Sequence, residues 1–283
     1  MPTAPWRRQM HETVTMPAVA GFRHIILDYY RAHGRRLPWR ETRDPYAILV
    51  SEIMLQQTQV ERVREKYLQF LAVFPNWREL AEAELSRVLE LWQGLGYNRR
   101  AVSLQSCARA VCEHFAGTLP HEVAQLESLP GIGPYTARAV ATFAFDTATP
   151  FIETNIRSVF IHHFFADAEA VRDADILPLV ELTLDRDNPR DWYYALMDYG
   201  AMLKRSGVNP SRKSAHHVRQ SPFRGSNREQ RSLILRAILA EPGIPLGRLE
   251  EQIPLVGKLL ARNLEQLERE GFIRQERDRF WVR

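Results

Sequence analysis

The stretch Leu129-Pro130-Gly131-Ile132-Gly133-Pro134-Tyr135-Thr136-Ala137 constrains this chain more than any other. Two glycines flank Ile132 between one helical pattern and the next, so the backbone can take angles closed to other residues and reverse in a tight hairpin. The hairpin amides fall where the next helix begins. Unsatisfied N–H groups and the positive end of the helix dipole can there face a phosphate. An ordinary helix–turn–helix corner is the alternative, since Pro-Gly-x-Gly turns are common. Apolar Leu129 and Ile132, and a helix running on from Tyr135 to Phe145, make the pattern more specific than that.

Charge agrees with a phosphate partner. The 283 residues hold 38 basic and 34 acidic side chains with a pI near 9.2, which fits a polyanion. From Tyr199 to Arg228 there is no acid, while Lys204, Arg205, Arg212, Lys213, Arg219, Arg224 and Arg228 are basic and His216 and His217 lie among them. Such runs are often solvated linkers, and this one carries Ser, Pro and Gly at loop density. We read it as both linker and phosphate-contact strip. Cys107 and Cys112, five apart in a helical stretch, suit neither a disulfide framework nor a metal site and read as inert buried thiols. No secretory signal and no run of 18 apolar residues is present, so a soluble, cytoplasmic protein with no membrane partner is expected.

Apolar residues recur at helical spacing near 20–34, 45–58, 60–73, 78–90, 98–116, 121–128, 134–145, 153–165, 173–185 and 189–204. Residues 1–19 read as a loose tail, 20–205 as an all-α main domain and 206–225 as the basic linker. Residues 226–283 then give a helix at 226–240, a short one at Leu246–Gln252, a third at Val256–Glu270, and a hairpin from 272–275 and 280–283. That is the plan of a small winged-helix domain. Lys258, Arg262 and Arg269 on the third helix form a groove-facing set; protein contact, or capping of the main domain, is the alternative.

Isolated carboxylates complete the inventory: Glu52 in Ser51-Glu52-Ile53-Met54-Leu55-Gln56-Gln57-Thr58, and Glu153 in Glu153-Thr154-Asn155. With the hairpin, they meet the needs of an enzyme that excises a base. Adjacent His162 and His163 point to different helix faces, so joint metal binding is not expected and no metal site is assigned. Phe143 and Trp192 read as core.

Across about 20–205 the chain is similar to the helix–hairpin–helix DNA glycosylases, and within them to the MutY-like adenine glycosylases. The resemblance is carried by Leu37-Pro38-Trp39-Arg40, Asp44-Pro45-Tyr46, the Ser51–Thr58 block, Gly94-Leu95-Gly96-Tyr97, the hairpin, and Met197-Asp198-Tyr199-Gly200-Ala201-Met202. It implies a fold of two helical subdomains and hydrolysis of an N-glycosidic bond in double-stranded DNA carrying a mispaired or damaged base, by a monomer. Glu52 matches the general acid that protonates the purine; flanking Ile53, Met54 and Leu55 could desolvate it, whereas a solvated helix glutamate is the commoner fate. Gln57 matches a glutamine pushed into the duplex. Tyr135 stands where bifunctional relatives carry a Schiff-base lysine, which implies hydrolysis without strand cleavage. Asn155 matches an asparagine that holds the active-site carboxylate or water. DNA contacts are expected from Tyr97, Gly131, Ile132, Gly133, Lys204, Arg205, Arg212 and Lys213, and a base pocket from Trp39, Arg40, Leu55 and Tyr194. The resemblance also implies a monovalent cation on the hairpin carbonyls.

The departures from that family are specific. Glu153 stands at the catalytic aspartate, and Thr154 at the glycine after it. The four cysteines that bind an iron–sulfur cluster after Ala201-Met202 are missing, so no cluster is expected. Asn98 replaces a second tyrosine, Tyr194 an adenine-reading amide or acid, and the winged-helix pattern the domain that inspects 8-oxoguanine. Three readings follow: an adenine glycosylase acting opposite guanine or 8-oxoguanine, a thymine or uracil glycosylase acting opposite guanine, and an inactive DNA-binding homologue.

Overall fold

Caps and turn residues fix most boundaries in the computed structural model, which describes residues 16–207, 209–215, 222–253 and 257–283. Helix α1 spans Met16–His33, so the expected tail turns helical four residues early; residues 1–15 lie outside the described residues. Helix α2 spans Pro45–Leu55, with Asp44 capping the amides of Tyr46 and Ala47. Its burial runs unbroken from Tyr46 to Met54, as expected of a helix apolar on all sides. It stops at Leu55, short of the expected 58, because Gln57 takes a left-handed φ of 54°.

Helix α3 follows at Val60–Val73. The pattern expected as one helix over 78–90 breaks into α4 (Trp77–Glu82) and α5 (Leu85–Trp92), since Ala83 and Glu84 turn extended between them. Helices α6 (Arg99–Phe115), α7 (Val123–Glu127), α8 (Pro134–Phe145), α9 (Thr154–Phe164), α10 (Asp173–Thr183) and α11 (Pro189–Arg205) complete the expected series. Then come α12 (Asn227–Ala240), strand β1 (Ile244–Pro245), α13 (Leu246–Gln252), α14 (Gly257–Arg269), β2 (Ile273–Glu276) and β3 (Arg279–Val282). The two-residue β1 was too short to show in any periodicity. It makes the hairpin a three-stranded antiparallel sheet of order β1-β3-β2, with Phe280 paired to both Ile244 and Gln275.

The chain forms two compact units, each from two separate stretches: Met1–Arg43 with Pro134–Val218, and Asp44–Gly133 with Arg219–Arg283. In the first, Phe22 of α1 meets Phe160 and Trp192 edge-on or tilted at 5.4 and 5.8 Å. Buried Asp198 accepts both arms of the Arg40 guanidinium at 2.8 Å, and Arg35 Nε at 2.6 Å. Burial alone would raise the Asp198 pKa, but the bonds and charge of Arg40 and Arg35 hold it below the usual range. In the second unit, Tyr46 donates its hydroxyl to the Phe74 carbonyl at 2.7 Å and meets Trp77 edge-on. Leu249, Leu260, Leu264, Phe272 and Phe280 form the apolar centre of its C-terminal part, while Lys258, Arg262 and Arg269 lie exposed on α14. No helix among the described residues is long and apolar enough to cross a membrane.

The hairpin belongs to the second unit. Ile132 N donates to the Leu129 carbonyl at 3.2 Å, and both side chains are buried. Gly131 has a φ of +78°, and a Cβ there would lie 2.5 Å from Ser103 Cβ, whereas a Cβ on Gly133 meets nothing within 4 Å. Gly131→Ala should therefore cost about 1–3 kcal/mol through strain and the Ser103 clash, and Gly133→Ala no more than about 0.5 kcal/mol. Urea midpoints of the two variants check this; equal losses would refute the steric account.

Candidate active site

Glu153 is placed by the extended stretch ahead of α9. Phe151 stacks on Tyr193 at 3.8 Å, its amide donates to the Tyr193 hydroxyl, and that hydroxyl donates to the Thr149 carbonyl at 2.9 Å. Tyr135, from the first turn of α8, lies edge-on to Phe151 at 5.7 Å. The stretch is thus pinned two residues before the carboxylate. Glu153 is the N-cap of α9: Oε1 accepts from Asn155 N at 2.6 Å and Ile156 N at 2.9 Å. Shorter side chains usually hold this position. Oε2 accepts from Asn155 Nδ2 at 3.3 Å, and Lys204 Nζ donates to Asn155 Oδ1 at 2.7 Å. The lysine, a donor only, fixes the amide orientation so that its NH2 faces the carboxylate.

Burial pushes the Glu153 pKa up, against the Ile156 amide, the Lys204 charge and the Asn155 amide, which pull it down. Burial pushes Lys204 down, and Glu153 opposes that shift. A desolvated carboxylate beside a desolvated ammonium, bridged by an amide, can hold negative charge against a developing cation. Arg157, one turn on, is taken up by Asp173 at 2.6 and 2.7 Å.

Gly200 of α11 permits this arrangement. A Cβ there would lie 2.3 Å from the Asn155 carbonyl oxygen, so only glycine lets α11 approach α9 closely enough for Lys204 to reach Asn155. Sequence reasoning assigned Lys204 to the phosphate strip and Gly200 no role; the signal was their place on one helix, a single turn apart. The other strip residues separate: Arg205 and Arg212 are exposed and Lys213 is half-buried, its ammonium bonded to the Ala166 carbonyl. Residues 209–215, expected as linker, carry a 3-10 turn at Pro210–Lys213 and pair Ala215 N with the Val171 carbonyl at 2.9 Å. Arg219, His216 and His217 lie outside the described residues.

Of the residues expected around a base, Trp39, Arg40 and Tyr194 are buried in the first unit. Tyr194 is stacked on Phe143 at 4.5 Å, with the Arg40 guanidinium 4.4 Å from its ring centre. Leu55, half-buried at the end of α2, belongs to the second unit, as does Glu52, 7% exposed on the same helix. There Arg100, which sequence reasoning missed, clamps two loops. Its Nη1 donates to the carbonyls of Ile53 (2.8 Å), Met54 (2.9 Å) and Gln56 (2.5 Å), and its Nη2 to Leu95 (3.2 Å) and Gly96 (3.0 Å). Gln57 and Tyr97 sit on those loops with left-handed φ of 54° and 47°.

Among the described residues no group of three or more His, Cys, Asp or Glu could hold a metal ion. His162 is exposed and His163 packs between Phe22 and Tyr199. Burial and the neighbouring His162 push the His163 pKa down to about 4. The residues do not fit an iron–sulfur cluster either: four thiolates are needed, and the two cysteines sit on α6, where burial pushes the Cys107 thiol up to about 12.

A helical fold with a hairpin leading into α8, and a capping carboxylate held by asparagine and lysine, defines a protein of the helix–hairpin–helix class. Residues 50–175 match the model of the HhH-GPD superfamily base excision DNA repair proteins. Over those residues the chain is similar to that superfamily. It is 40% identical over 205 residues to an adenine DNA glycosylase of Mycobacterium tuberculosis, covering 66% of this chain and 64% of the relative. It is 36% identical to an adenine DNA glycosylase of Mus musculus, covering 80% of this chain and 45% of that one. The chain thus spans less than two thirds of these relatives' length. A solved thermostable thymine-DNA glycosylase superposes with a TM-score of 0.58 at 27% identity, over 65% of this chain and 86% of that one.

The raised pKa gives Glu153 a signature in stability. The folded state holds its proton to higher pH than the unfolded chain, so Glu153 costs stability increasingly as pH rises from the ordinary carboxylate range through its raised value. Glu153→Gln should therefore raise the Tm relative to the parent at pH 8 and bring less or no gain at pH 4. Melting curves across that range check it; a benefit that shrank with rising pH would contradict the assigned direction.

Proposed function

We propose that the chain is a monofunctional DNA glycosylase of base excision repair, hydrolysing the N-glycosidic bond of a mispaired base, adenine opposite guanine or 8-oxoguanine. The observation that carries this reading is the Glu153–Asn155–Lys204 cluster. Departure of the base leaves positive charge on the sugar, and a partly desolvated carboxylate stabilises it far better than water would. Glu52 is the general acid that protonates the leaving base: it is buried on α2 among Ile48, Leu49 and Ile53, and a proton from it leaves the base neutral. Tyr135 lies beside the pinned stretch that presents Glu153, and Asn155 orients the carboxylate. The Gly131–Gly133 hairpin binds a DNA phosphate, with a monovalent cation on its carbonyls. Gln57, Tyr97 and the exposed Arg205 and Arg212 contact the duplex, and the winged helix of 226–283 adds Lys258, Arg262 and Arg269. On this reading the protein works as a monomer on DNA in the cytoplasm or nucleoid.

Two observations favour a second reading, thymine or uracil removal opposite guanine. Tyr194, at the position where the resemblance expects an adenine-reading group, is covered by Phe143 and Arg40, and a similar solved structure is that of a thymine-DNA glycosylase. Single-turnover base release from duplexes carrying adenine opposite 8-oxoguanine, adenine opposite guanine, and thymine or uracil opposite guanine separates the readings. Release from the adenine duplexes alone is expected, and no release from any of them would leave a DNA-binding homologue.

Glu52→Gln should abolish release while leaving DNA affinity nearly intact, since the amide keeps shape but delivers no proton. Glu153→Asp should keep α9 capped, because aspartate is a favoured cap, yet lose about 100-fold in rate by drawing the carboxylate back about 1 Å. Unchanged release by Glu153→Gln would remove this residue from the mechanism. The purified protein is expected to be colourless and free of stoichiometric iron; a cluster absorption band with bound iron would refute that.

A further inference from the structure

A cavity of about 710 Å³ opens in the second unit, lined by Gln57 and Tyr97 from the clamped loops and by Phe223 and Arg236 from the C-terminal stretch. Its size suits one small organic ligand. None of the residues that hold Glu153 line it. Its charge is one-sided: Arg62, Arg99 and Arg236 are exposed around it with no ion pair among the described residues. The one acid among its described lining residues, Glu270, is already bound by Arg231 at 2.6 Å.

Aromatic surface lies next to that charge. Phe223 is 52% exposed. Arg228 lies 5.4 Å from the Tyr97 ring centre and donates to its hydroxyl at 2.5 Å. Strain points to the same place. Among the described residues, two of the five non-glycine residues with left-handed φ, Gln57 and Tyr97, line this cavity, and the Arg100 clamp holds both loops in it. Such strain persists only where the surroundings over-determine it, and it gathers at ligand sites.

From these features we infer that the cavity binds one nucleotide, its phosphate among Arg62, Arg99 and Arg236 and its base against Phe223. Stacking on an aromatic face beside arginines accepts any base. The nucleotide comes either from a DNA strand, which rests on the glycosylase reading, or from free solution, which does not.

The test uses the full chain, Phe223→Ala and Arg236→Gln; both side chains are exposed, and melting curves confirm that the variants fold. One probe is a duplex with 2-aminopurine opposite a stable abasic-site analogue, followed by fluorescence. The other is free deoxyguanosine 5′-monophosphate, followed by calorimetry. Phe223→Ala should weaken probe binding about tenfold, the loss of one base–aromatic stack. Arg236→Gln should lower the salt dependence of duplex binding by about one phosphate contact. Effects on the duplex alone assign the nucleotide to DNA, and effects on the monophosphate assign it to free solution. Parent-like binding of both probes by both variants overturns the site. Base release assayed on the same proteins keeps the two questions apart. A parent that releases no base while its variants lose probe binding refutes the glycosylase reading alone, and active variants with unchanged probe binding refute the cavity alone.

Discussion

The close approach of α9 and α11 at Gly200 governs what the first unit can do. With no side chain at 200, the Asn155 backbone packs directly on α11, and Lys204 comes within 2.7 Å of the Asn155 amide. That bond turns the amide toward Glu153, which completes its coordination with two backbone amides of its own helix. Both parts contribute: a larger residue at 200 parts the helices, and without Lys204 only the longer 3.3 Å bond to Glu153 orients the amide. Burial makes that carboxylate electrostatically costly, and the helix amides and the Lys204 charge offset part of the cost.

Buried guanidinium groups do the remaining positioning. Arg40 is held by Asp198 and covers Tyr194, while Arg190 donates to the carbonyls of Arg40 and Thr42, so two arginines help to fix the turn before α2. Arg100 does the same in the second unit, collecting carbonyls at the end of α2 and in the loop after α5. Five fixed donors on one planar group suit irregular backbone of this kind, which a lysine could not serve.

Much of the fold was legible because helices announce themselves locally. Apolar spacing, Pro at first turns and capping residues such as Asp44 and Asn76 act over a few neighbours, so most helix boundaries fell within a few residues of expectation. The misplacements have the same origin in reverse. The break at Ala83-Glu84 and the left-handed Gln57 are turns without glycine or proline, and β1 exists only because Phe280 of a later strand pairs with it. The motif around Trp39 and Arg40 says nothing of their neighbours, and only the fold brings the Arg40 guanidinium and Phe143 onto Tyr194.

By itself the sequence determined the helical class, the hairpin and the presence of Glu52, Glu153, Tyr135 and Asn155, since these depend on residue type and short spacing. Tertiary structure alone decided which charges meet. Lys204 lies 49 residues from Asn155 along the chain, and no periodicity reports on that distance. The same holds for the division of the basic run, where Lys204 turned inward to an amide, Lys213 to a carbonyl, and Arg205 and Arg212 stayed in solvent. A basic side chain is drawn alike to phosphate, carboxylate and carbonyl, and only the packing of α9 against α11 settles which of them is within reach.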